Sequence, residues 1–188
     1  MADHTTTLIH HPYTPPAGFA APQPGVFKAS TILFSSVAQM RERYKDEVGH
    51  QYTYGTKGTP TTFLLEKRLC SLEGGQFCTL APSGLAAIAL VNVAFLKTGD
   101  EILIPDNVYG PSKTLADGEL ARFGISYQLY DALNPNDLAA KISAKTKLVW
   151  LEAPGSVTME FPDLPELVHI CKGLGVLTAL DNTWGAGL

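Results

Sequence analysis

From Thr59 onward the chain alternates short apolar runs with segments of helical period, and that alternation restricts its fold more than any other feature. Apolar residues recurring three or four apart predict helices over 61–72, 84–95, 111–123 and 164–173, each bounded by Gly, Pro or Asp. Between them, 77–80, 101–104, 126–130, 148–151 and 176–180 read as strands, short apolar runs of the kind buried on both faces. Strands and helices in this order predict an α/β domain, a mainly parallel sheet flanked by helices. Residues 1–58 carry no such pattern. There Pro12, Pro15, Pro16, Pro22 and Pro24 are scattered among Thr, His and Gly, which predicts an extended N-terminal arm over 1–58 followed by a domain over 59–188.

Composition removes several functions. A chain of 188 residues, 45% hydrophobic and 17% charged, suits one globular domain. Fourteen Lys and Arg against 18 Asp and Glu leave a net charge of -4, and no block of five like charges occurs, which argues against a nucleic-acid partner. The longest apolar stretch, 85–96, is interrupted by Asn92 and falls short of the roughly 18 residues of a membrane span. The start of the chain has no export signal, and Cys70, Cys78 and Cys171 form no CxxC pair, so a cytoplasmic protein with three buried thiols is expected. His10 and His11 lack a spaced third ligand and His169 falls within a helix, so no metal site is expected. No Walker A, complete GxGxxG, GxSxG or HExxH sequence is present.

Three places can carry chemistry. The loop Ala81-Pro82-Ser83-Gly84-Leu85 joins a predicted strand to a predicted helix, so its amides either hold a phosphate or merely cap the helix. Asp181 follows an apolar strand, where it either caps the next turn or holds a proton on a pyridinium nitrogen. Tyr109 follows another strand and either stacks on a flat ligand or packs on the core. Ligands of open α/β sheets bind beyond the carboxyl ends of strands. The cluster Asp181-Asn182-Thr183 lies at such an end and the chain stops soon after, at Leu188, which suggests a site awaiting its other half.

Taken together, six segments resemble the Cys/Met-metabolism family of pyridoxal-phosphate (PLP) enzymes, over about Tyr52 to the last residue. In order they are Tyr54-Gly55-Thr56-Lys57-Gly58-Thr59, Leu72-Glu73-Gly74-Gly75, Pro82-Ser83-Gly84-Leu85-Ala86-Ala87, Asn107-Val108-Tyr109-Gly110-Pro111-Ser112, Leu151-Glu152-Ala153-Pro154-Gly155-Ser156-Val157-Thr158-Met159-Glu160 and Asp181-Asn182-Thr183-Trp184. The resemblance implies a fold type I PLP-transferase-like large domain, incomplete at its C-terminus. It implies that Gly84 and Leu85 offer backbone amides to the cofactor phosphate, that Tyr109 stacks on the pyridine ring as a catalytic residue, and that Asp181, with Thr183 beside it, pairs with the ring nitrogen. It further implies that Tyr54 reaches the phosphate of a neighbouring subunit in a homo-oligomer, a dimer of dimers. Where the family has an arginine two places after that tyrosine, this chain has Thr56 followed by Lys57, a point charge without the arginine fork.

Pro154-Gly155-Ser156 stands where several branches of the family have Pro-x-Asn-Pro, and the Ser156 hydroxyl can serve the cofactor's phenolic oxygen. This segment resembles the β-lyase branch. The implied activity is β-elimination of the sulfur amino acid cystathionine to homocysteine, pyruvate and ammonia in methionine biosynthesis. Alternatives are a γ-synthase, γ-lyase or homoserine sulfhydrylase of the same family, or a catalytically inert fragment. The family's Schiff-base lysine follows the Asp-Asn-Thr strand, whereas the last lysine here is Lys172; Lys145 and Lys147 precede the fourth strand and are rejected for that role. The chain is therefore expected to be an incomplete portion of a longer lyase.

Overall fold

The computed structural model describes residues 6, 9–10, 13–15, 17–21, 23–43 and 52–185; His11, Pro12, Pro16 and Pro22 lie outside them. The chain divides into two compact units, 1–80 and 81–188.

In the first unit, α1 (Val37–Glu42) starts where Ser36 Oγ accepts from Gln39 N–H at 3.1 Å. α2 (Pro60–Leu72) opens on a proline whose missing N–H costs nothing in a first turn, and Thr62 Oγ1 accepts from Thr59 N–H at 2.7 Å. The chain before α2 bonds to the helix start and to itself: Phe27 N–H donates to Thr61 Oγ1 at 2.8 Å and Gly55 N–H to Ser30 O at 2.7 Å. A Cβ on Gly55 would lie 2.1 Å from the Ala29 carbonyl oxygen, so this approach requires glycine. Two expectations fail in this unit. Residues 77–80 form no strand, because among the described residues no other segment supplies a ladder to them. Cys70 and Cys78 are partly exposed rather than buried, since α2 contributes no buried residue against which they could pack.

The second unit is a four-stranded parallel sheet in the order β2-β1-β3-β4. Its elements follow the chain as α3 (Gly84–Phe95), β1 (Glu101–Pro105), α4 (Gly110–Leu115) continued by a π-helical turn over Ala116–Leu120, β2 (Ser126–Tyr130), α5 (Pro135–Lys141), β3 (Thr146–Glu152), α6 (Leu164–Gly173) and β4 (Leu177–Asp181). Alternate residues of a strand face opposite sides, and two cores result. Ile102, Ile104, Leu148 and Trp150 pack with Ile88 of α3 and Ala116 and Leu120 of the π turn. Leu103, Val149 and Leu151 pack on the other face with Leu138 of α5 and Leu167 and Cys171 of α6. β1 and β3 are buried on both faces, as their apolar runs predict. β2 and β4 are not: Leu177 and Leu180 are about half exposed, because both strands are edges of this sheet. The short helices α1 and α5 escaped the periodicity reading, having too few turns to show a period.

Candidate functional site

β1 and β3 are neighbours, yet the chain leaving β1 passes to β2 on one side and the chain leaving β3 passes to β4 on the other. A crevice opens at the carboxyl ends of strands whose connections part in this way. Tyr109 enters it from the loop after β1, Glu152 and Ser156 from the end of β3 and its loop, and Asp181, Thr183 and Trp184 from the end of β4. The N-terminus of α3 completes the wall with Ser83, Gly84 and Leu85. The cavity they enclose measures about 370 Å3, the size of a small-molecule site.

One side of this cavity is built for an anion. Ser83 caps α3, its Oγ accepting from Ala86 N–H at 3.1 Å and its carbonyl from Ala87 N–H at 3.0 Å. These bonds occupy the amides of Ala86 and Ala87, and Gly84 and Leu85, which line the cavity, stand at the positive end of a 12-residue helix. A Cβ built on Gly84 meets nothing within 4 Å, so the backbone is open on that side.

The opposite side carries two carboxylates. Asp181 Oδ1 accepts from Thr183 N–H at 3.0 Å and from Thr183 Oγ1 at 2.5 Å, which turns the carboxylate at the strand end. Glu152 is its partner in register on β3 and is 5% exposed. Glu152 Oε2 accepts from Tyr109 N–H at 2.9 Å, tying the loop after β1 to the end of β3. Burial first, and then the charge of Asp181, push the Glu152 carboxyl above its ordinary value, while the Tyr109 and Ser156 backbone donors pull the other way.

The loop after β3 is held by a close approach. A Cβ on Gly155 would lie 2.2 Å from Asn107 Nδ2, so only glycine lets Asn107 cross here and donate to Glu160 Oε2 at 3.1 Å. Gly155 N–H and Glu160 O bond at 2.9 Å, closing the loop that presents Ser156. Val157 and Met159 sit in the left-handed region within it, at φ 67° and 58°.

The structure thus brings Gly84, Leu85, Tyr109, Ser156, Asp181 and Thr183 to one cavity. Tyr54 and Lys57 lie in the other unit, where Lys57 N–H donates to Tyr54 O at 2.9 Å in a turn. Lys57 there lines a separate cavity with Glu66 and Cys70. Sequence reasoning passed over Glu152, Ser83, Ile88 and Trp184 as site residues. The signal for Glu152 was present, since it is a carboxylate at the end of an apolar strand, the same pattern that singled out Asp181. Among the described residues no cluster of three metal-ligating side chains occurs, and no helix is long and apolar enough to cross a membrane.

Comparison with known proteins agrees with this architecture. The model of the family described as Cys/Met metabolism PLP-dependent enzyme matches residues 5–188. A cystathionine beta-lyase of Bordetella avium is 37% identical over 99% of this chain and 48% of its own length. The cystathionine beta-lyase MetC of Escherichia coli is 35% identical over 86% of this chain and 41% of its own. Among solved structures, metB from Corynebacterium glutamicum superposes with a TM-score of 0.87 at 25% identity, over 99% of this chain and 46% of that one. The chain spans about half the length of the relatives it matches, 48% for that of Bordetella avium.

Proposed function

The chain belongs to the Cys/Met metabolism family of PLP-dependent enzymes, and from that membership we propose that its second unit is the cofactor-binding part of a cystathionine β-lyase. One observation carries this reading. A single cavity sets Gly84 and Leu85, the first two residues of α3, on one wall and Asp181 on another, with Tyr109 between strand and helix. Those are the donors and acceptors that a phosphorylated pyridine requires at its two ends.

In this reading the amides of Gly84 and Leu85 bind the phosphate, the Tyr109 ring lies against the pyridine, and Asp181 holds a proton on the ring nitrogen. Ser156 offers its hydroxyl to the phenolic oxygen, and Thr183 keeps Asp181 oriented through its two bonds to Oδ1. PLP, when bound, supplies an electron-withdrawing conjugated ring that lowers the cost of removing the α-proton of an amino acid. The proposed net reaction consumes cystathionine and water and yields homocysteine, pyruvate and ammonia. That activity belongs to a protein of the relatives' length, in the cytoplasm and as a homo-oligomer in which Tyr54 and Lys57 serve a neighbouring subunit. Within these 188 residues the reading is cofactor binding.

The test is a titration of the chain with PLP, followed by quenching of the fluorescence of Trp184 on the cavity wall. Saturable quenching is expected, absent with pyridoxal lacking the phosphate and weakened in Asp181→Asn. Equal behaviour of PLP and pyridoxal would overturn the anion cradle, and with it the cofactor reading.

A further inference from the structure

Beneath the site lies a second, smaller cavity of about 10 Å3, walled by apolar side chains such as Ile104 and Trp150. Four polar residues also reach it: Ser112, Asn92, Glu152 and Asp181. Ser112, on α4, is 8% exposed, and its hydroxyl has no hydrogen-bond partner among the described residues. Asn92 Oδ1 is engaged by Trp150 Nε1 at 2.9 Å. An unpartnered buried hydroxyl is unfavourable, and buried polar groups left without a protein partner are commonly satisfied by water. A space of this size admits about one water molecule, and a buried water needs two to four polar partners.

We propose that this cavity binds a single structural water shared by Ser112, Glu152 and Asp181, and that Ser112 acts through it as a positioning residue for Asp181. The donors and acceptors balance. Ser112 donates its O–H to the water oxygen, and the two water hydrogens go to the two carboxylates, which only accept when ionised. Two carboxylates side by side at paired positions of β3 and β4 repel, and one shared donor between them relieves that repulsion. Asp181 is then fixed at Oδ1 by Thr183 and from below by the water. The positioning role rests on the cofactor reading above; the water site does not.

The test has two readouts. A high-resolution crystal structure of the chain without cofactor is expected to show one density peak about 2.8 Å from Ser112 Oγ, within hydrogen-bond reach of both carboxylates. The peak is lost in Ser112→Ala, a variant that still unfolds in one cooperative thermal transition. No peak in the wild type overturns the water site, even where PLP still binds and the cofactor reading stands. The second readout compares PLP with its analogue carrying CH in place of the ring nitrogen, both titrated by tryptophan quenching. Ser112→Ala should weaken PLP about five-fold, one hydrogen bond's worth, and leave the analogue unchanged. Equal loss for both ligands, or none for either, overturns the positioning role. A water in place with no PLP uptake by the wild type would instead sink the cofactor reading and leave the water site standing.

Discussion

Glu152 and Asp181 end neighbouring parallel strands in register, so two carboxylates share the floor of one cavity. The pairing has an energetic consequence for each. Glu152, the more deeply buried, carries the raised proton affinity, for which burial is the first cause and the Asp181 charge a further one. Its Oε2 is also what holds the backbone of Tyr109 at the cavity.

The first prediction concerns pH. Because the folded protein holds the Glu152 proton more tightly than the unfolded chain, this group's contribution to stability is full below the ordinary glutamate value. It declines as pH rises from there through the raised folded value. Glu152→Gln keeps an acceptor for Tyr109 N–H and removes that decline. Urea denaturation at a series of pH values should show the variant gaining on the wild type between acid and neutral pH; parallel profiles would contradict the assignment.

A second prediction separates folding from anion binding at Gly84. Its Cβ position is open, so Gly84→Ala should fold with stability unchanged or raised by about 0.4–1 kcal/mol from the reduced freedom of the unfolded chain. The same methyl stands at a residue that lines the cavity and narrows the approach to the helix N-terminus, and PLP affinity should fall about tenfold. Thermal melting and tryptophan quenching report the two effects independently. Loss of both together would mean that the glycine serves the fold rather than the site.

Asn92 offers a third. It is 2% exposed, and its Oδ1 accepts from the Trp150 indole at 2.9 Å in the core between α3 and β3. Asn92→Leu leaves that N–H buried without an acceptor and should cost about 1–3 kcal/mol in urea denaturation, despite the gain in apolar character.

The fourth contrasts two leucines. Leu138, fully buried in one core cluster with Val149 of β3 and Leu167 of α6, should cost about 2–5 kcal/mol when replaced by alanine. Leu90 is half exposed on α3, so Leu90→Ala should fall within about 0.5 kcal/mol of the wild type. Chemical denaturation of the two variants side by side checks whether the core lies where the strand alternation puts it.

By itself the sequence determined the class of fold, most of its elements and the candidates for chemistry, because those depend on signals local to the chain. The apolar period of 84–95 with Ser83 before it marks α3, and Leu148 to Leu151 marks a strand buried on both faces. The motifs around Gly84, Tyr109, Ser156 and Asp181 carried the family likeness, since each is a short run whose residue types are legible in place. What only the tertiary structure decided is who stands beside whom. Periodicity says that a run is apolar, not which strand pairs with it, so the half-exposed faces of β2 and β4 and the missing ladder at 77–80 could not be read in advance. The same holds for chemistry. Glu152 becomes a site residue because the β3–β4 register sets it against Asp181, far away along the chain. Ser112 reaches the same floor because α4 packs on the sheet. These are long-range contacts, set by the burial of two cores at once, and no local pattern encodes them.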